Sequence, residues 1–471
     1  PLPPAGDAAL LRRVSLSLTG RLSSETEVEV YLSDKSPKKY DQLVERLLAS
    51  EAFVDYWTWR LARQLRVRTG PNDERGTQAF HAWIRQQIKA GTPLDQMAKE
   101  MLVASGDSHE NGPANFHRSA SDARGEAEYL TEVLLGVRLR CGNCHNHPLD
   151  RWTQDDYHGL AAVFARLDRG RVVKFGGSGE IVQPATGEAA LPRIPGERFL
   201  AALGEKAADY RGELAEWLID KKSGLFARAQ VNRLWKAMFG RGLVEPADDL
   251  RETNPATHPR LLERLAGEFA ESRFELRHLL RFMAHSAAFQ RQSENEAKPN
   301  AVAEQFYAAY PRHPLDAEVL LDAIGDVSGA PEIFPNLPAG TRAVQLVELS
   351  APVPALTVLG ACSRQENCDA APVGEDPLGQ LTAQLHLLIG KLLNDRLQSE
   401  AGILADVEKR QTPIEKVVEQ LYLRSFSRHP SDKEQKFWSQ ELADLSVEDR
   451  QQKLQDLLWA ILASHEFTTN H

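Results

Sequence analysis

The feature that most constrains this chain is how often apolar residues return at helical spacing. Tyr40, Leu43, Val44, Leu47 and Leu48 line one face, and Phe53, Trp57, Leu61 and Leu65 line another. Such stripes bury one side of a helix and leave the other to water, and they leave little room for an extended sheet. Punctuation agrees with the period. Ser24 through Glu27 reads as a capping box ahead of Val28 and Leu32, Ser36-Pro37 reads as a helix opening, and Ser50 reads as an N-cap. Further helices are predicted over 78–89 and 93–103, then over 212–219, 225–239, 258–272, 275–289, 316–327, 378–393, 413–425, 432–442 and 447–464. The polar stretch SGDSHENGPANFHRSASDARG is too long for a mere connection and reads as a functional loop.

Two stretches break the helical pattern. Residues 171–196 are rich in glycine, proline and β-branched residues and read as a hairpin with turns; residues near 330–360 read as extended strands and turns. The expected fold is mainly α, with two helical domains over 1–170 and 197–471 and the hairpin or linker 171–196 between them. At 471 residues and 42% apolar composition, the chain has ample length to bury real cores. A net charge of -10 with no basic block argues against a nucleic-acid partner. No apolar run is long enough to cross a bilayer, and no signal-peptide core opens the numbering, so an export signal would have been removed upstream.

The strongest chemical signal is CGNCHNHPLDRW, residues 141–152, at the end of a helix predicted over 126–140. Cys-x-x-Cys-His is the spacing of c-type haem attachment, with thioether bonds from Cys141 and Cys144 and His145 as the iron's nitrogen ligand. A zinc site and a cofactor-free thiol or disulfide pair are the alternatives. His147 is a capping or supporting histidine, or else a further metal ligand in an irregular loop ending at Pro148. Arg138, Arg140, Arg151 and the indole of Trp152 are candidate partners for haem propionates, although surface arginines commonly have no such task. For the sixth iron position, Met97, Met101, Met238 and Met283 all fall at helical positions, where methionine is usually core filler. Among the loop histidines His109, His117 and His258, His117 is favoured, and an open sixth position is the alternative. The Asp248, Asp249 and Arg251 turn reads as structural ion pairing, with a pocket wall facing the motif as the second reading. Cys362 and Cys368 are spaced to close a small loop by disulfide in an oxidising compartment. No nucleophile elbow, phosphate loop or H-E-x-x-H is present.

LRRVSLSLTGRL, the block VLLGVRLRCGNCHNHPLDRWTQDDYHGLAAVFARL, the stretch ARAQVNRLWKAMFGRGLVEPADDLRETNPATHPRLLERLA and the closing SHEFTTNH resemble the planctomycete cytochrome-like domain followed by the planctomycete-specific C-terminal domain. The resemblance implies an exported bacterial protein, called cytochrome-like for its Cys-x-x-Cys-His, in a family of largely unknown function. It also implies sulfatase-like neighbours and a link to surface polysaccharide metabolism. The expected role is electron transfer with a partner oxidoreductase. The alternatives are a haem enzyme with an open distal site and a zinc-binding or cofactor-free surface protein.

Overall fold

The structure is a computed structural model that describes residues 1–68, 73–202, 208–220, 224–293, 301–347, 353–362, 364, 368, 377–443 and 445–471. Helices dominate, and the sheets have two or three very short strands. Helix α1 (Asp7–Thr19) is buried from Leu10 to Thr19, and Gly20 stops it in the left-handed region at φ 60°. α2 (Glu25–Ser33) begins at the Ser24–Glu27 capping box, and α3 (Lys39–Leu48) begins two residues after the expected Ser36-Pro37 opening. α4 (Glu51–Gln64) is capped by Ser50 and packs on α1 and on α5 (Glu74–Ala90). α6 (Leu94–Val103) completes this first layer.

The long polar stretch 105–125 is folded rather than free. It holds β1 (Gly106–Asp107) and the short α7 (Asn115–Arg118), with Asn115, Phe116 and His117 buried. Asn115 Nδ2 donates to the carbonyls of Ser108 (2.7 Å) and Gly112 (3.0 Å), so the loop satisfies its own backbone. Its polar composition therefore reflects turn closure.

The helix expected over 126–140 is shorter and broken. α8 (Ala123–Leu130) runs into one π-turn over Thr131–Leu135 and stops at Gly136, whose φ is 63°. A side chain at 136 would collide with Leu250, since an ideal Cβ would lie 2.3 Å from its Cδ1. Glycine is required there by both conformation and contact. After the cysteine motif, α9 (Gln154–Val163) opens with the Thr153–Asp156 capping box. β2 (Leu167–Asp168) and β3 (Val172–Phe175) then pair antiparallel, and β3 also pairs with β1. The remainder of 171–196 is irregular, with a turn over 184–188 closed by the Val182–Ala189 bridge, and it packs over α9 through Arg193 and Gly196.

α10 (Arg211–Leu218), α11 (Leu225–Phe239) and α12 (Pro259–Glu271) follow as the period predicted, α13 (Leu276–Ala284) stops five residues before the expected end at Phe289, and α11 lies against the π-turn. The described residues of 330–360 hold turns, a single 3-10 turn (Ala343–Gln345) and a short helix (Pro354–Val358), with no paired strand. Pro331, Pro335 and Pro338 lack the N–H that a ladder needs. The expected helix 378–393 is two helices, Pro377–Ile389 and Lys391–Leu397, divided at Gly390. Cys362 and Cys368 are disulfide-bonded, with Cα atoms 5.8 Å apart. The last residues return to α1: Thr469–Asn470 pairs with His313–Pro314, and one apolar core runs through both ends of the chain.

Candidate functional site

The cysteine motif is a surface turn with a buried back. Val137 and Leu139 are buried, and a 3-10 turn then spans Arg140–Asn143. The N–H groups of Cys144 and His145 both reach the Cys141 carbonyl, each at 3.3 Å. Gly142 lies directly on α9; an ideal Cβ there would be 2.8 Å from Tyr157 Cβ and 3.2 Å from the Thr153 carbonyl oxygen. From the same helix, His158 Nε2–H donates to the Asn143 carbonyl at 3.1 Å, since that oxygen can only accept. His158 is fully buried, and desolvation lowers its pKa, so it holds the turn as a neutral donor. Asn146 Oδ1 accepts from the Gln154 N–H (3.0 Å), and His147 N–H donates to the Trp152 carbonyl (2.7 Å). The backbone of the motif is thus fixed by the helix that follows it.

The three chemically active side chains face outward. Cys141 and Cys144 are free and exposed, three positions apart on one turn. His145 is also exposed, and its Nδ1–H donates to the Asn146 carbonyl at 2.8 Å. A neutral imidazole fixed in that tautomer presents the Nε2 lone pair. His147 differs: its Nδ1 accepts from the Leu149 N–H at 3.2 Å, which puts the proton of the neutral ring on Nε2. That is the capping role, and it withholds the lone pair a metal would need. Among the described residues, no three His, Cys, Asp or Glu side chains are grouped so as to hold a metal ion.

The other candidates separate. Arg140 and Arg151 are exposed beside the motif, and the Arg151 guanidinium lies 4.5 Å from the Trp152 ring centroid. Trp152 is buried, and its Nε1–H has no acceptor among the described residues. Arg138 is committed to Asp248 at 2.6 Å. His117 lies in a different cluster altogether: its ring is fully buried, Nδ1 meets Glu126 at 2.5 Å and Nε2 meets Arg211 Nη1 at 3.1 Å. Both ring nitrogens are taken, so its role in this structure is to join α7, α8 and α10. The four methionines are buried core residues. His109 is bound to Asp73 (2.7 Å), and His258 lies against the Phe306 and Tyr307 rings.

Sequence reasoning missed His158, although a histidine among the buried residues of the helix after the motif was a visible signal. It also undervalued the turn near 248. Asp249 pairs with Arg251 at 3.2 Å and Asn254 binds the Glu245 and Asp249 carbonyls, as the structural reading expects. The same turn also touches the motif segment at Gly136, Arg138 and Leu149. A separate cleft of about 500 Å³, lined by hydroxyls of Ser15, Thr19 and Ser23 with Arg21 and Arg424, contains no motif residue.

Residues 1–169 match a family described as PSCyt2, a protein of unknown function (DUF1549), and residues 210–442 match one described as PSD1, a protein of unknown function (DUF1553). No curated protein and no solved structure is similar to the chain. The motif lies within the first match, and the turn that meets it lies within the second. With the two matches in this order, the chain is similar over most of its length to a two-domain, planctomycete-type pairing of families of unknown function.

Proposed function

We propose that this is an extracytoplasmic c-type haem protein that passes electrons to or from a partner oxidoreductase, with a carbohydrate-related redox step as the setting and a sulfatase-like protein as a candidate neighbour. The observation that carries the reading is the pairing of two free, exposed thiols with a histidine whose Nδ1 proton is already committed. Cys141 and Cys144 would carry the thioether bonds, and His145 Nε2 would meet the iron. A haem held this way supplies one-electron chemistry. The chain's own part is to orient these donors through α9, to offer the Arg140 and Arg151 guanidinia to propionates, and to keep one donor, Trp152 Nε1–H, in reserve beside the motif. The Cys362–Cys368 disulfide supports an oxidising compartment.

A second reading, a haem enzyme with an open sixth position, draws support from His117. With that ring committed to Glu126 and Arg211, the favoured internal ligand is engaged elsewhere, and the methionines are buried in the core. Zinc has less support, because His147 Nδ1 already accepts a hydrogen bond. The test is absorption of chain made alongside haem-attachment machinery. A covalent c-type haemochrome is expected, and Cys144→Ala should strip one of its two bonds. Six-coordinate low-spin iron favours the relay and high-spin iron the enzyme, while a colourless preparation removes both and leaves a zinc or binding protein.

A further inference from the structure

The contacts of the 247–254 turn have a pattern that ion pairing alone does not explain. Its hydrogen bonds to the motif segment fall on both sides of the cysteine turn. Upstream, Leu250 N–H donates to the Gly136 carbonyl at 2.8 Å, its side chain occupies the space a Cβ at 136 would need, and buried Asp248 takes Arg138. Downstream, Thr253 Oγ1 donates to the Leu149 carbonyl at 3.1 Å. The turn itself is stiffened by Asn254, at its far end, whose side-chain amide donates to the carbonyls of Glu245 (3.0 Å), just before the turn, and Asp249 (2.9 Å), within it.

We propose that the cysteine site is built by both family segments, with the 247–254 turn acting as a clamp that sets the two ends of the motif loop. α9 holds the middle of that loop through Gly142 and Asn143, and the clamp holds its flanks. Together they fix where the Cys141 and Cys144 sulfurs and the His145 ring stand before anything binds. Holding donors in place beforehand removes the ordering cost from attachment of a rigid group. Leu250 and Thr253 are thus positioning residues for a site whose donors all belong to the other segment. The proposal goes beyond the haem reading and depends on it only for which group the donors receive.

The experiment uses the full chain without haem, so that it stands whether or not haem ever attaches. Phenylarsine oxide, which condenses with two thiols and releases water, probes whether the two sulfurs are held to accept one bridging group. Thr253 is exposed, and Thr253→Val removes the hydroxyl at little risk to folding. In Thr253→Val and Leu250→Ala, amide exchange over 137–149 is expected to rise about tenfold and arsenical affinity to fall by a similar factor. Thr253→Ser restores both, and Glu263→Gln, which breaks an exposed pair elsewhere in the second segment, changes neither. If exchange over 247–254 rises in the valine variant while the motif and its arsenical affinity stay unchanged, the clamp is refuted. Should Leu250→Ala loosen the whole chain, the valine and serine pair decides alone.

Discussion

Two arginine-bearing regions of this chain meet opposite fates. Arg12 and Arg13, in the middle of α1, are each 1% exposed. Arg12 donates to the carbonyls of Ser425 (2.7 Å), Glu466 (3.1 Å), Phe467 (2.8 Å) and Thr469 (3.2 Å), and burial lowers its pKa to about 10. Arg13 reaches the carbonyls of Phe289, Arg291 and His471 and lies 3.7 Å from the Tyr310 ring centroid. At the motif, by contrast, the backbone is fixed while Cys141, Cys144, His145, Arg140 and Arg151 face solvent. One region uses its charges to close the chain's two ends on each other. The other holds its backbone still and leaves its reactive atoms free, which is how a binding site differs from a structural knot.

The largest expected effect falls on the knot. Arg12→Ala would leave several buried carbonyls without a donor and should destabilise the chain by roughly 3–5 kcal/mol, read as a lowered urea midpoint. A loss under about 1 kcal/mol would mean that the C-terminal residues are held some other way. A smaller effect should come from acid. Burial pushes His81 down to about 4, and burial with the nearby Arg12 and Arg312 charges pushes His471 down to about 3. Below the unfolded value of 6.5 the unfolded chain takes up protons that the folded chain refuses. Stability from these groups is therefore complete above pH 6.5 and declines as pH falls toward 4. Midpoints across that window should fall, and His81→Leu should flatten part of the slope; an unchanged slope contradicts the assignment. The smallest effect belongs to the motif: replacing Cys141 and Cys144 together by Ala should move stability by no more than about 0.5 kcal/mol, as expected for exposed side chains.

The same contrast marks what could be read from residues alone. Helix positions followed from apolar period, and their starts from local caps at Ser24 and Ser50, because both signals lie within one turn of chain. The stop at Gly136 was harder, because Val137 and Leu139 continue the apolar pattern beyond it and the reason for the glycine is Leu250, far along the chain. Burial of Arg12, Arg13 and His117 was also hidden. Charged or polar residues read as surface when their partners are distant carbonyls or, for His117, an arginine 94 positions away. The cysteines and His145 were legible because their chemistry depends on local spacing. Their supports, His158 from α9 and the 247–254 clamp, depend on tertiary contact.

The most direct test of the central claim is the intact mass of the denatured chain after production with haem-attachment machinery. The account predicts one added haem that survives denaturation, mapped by proteolysis to a peptide bridged at Cys141 and Cys144. An unmodified mass, with both thiols alkylating freely, would contradict it.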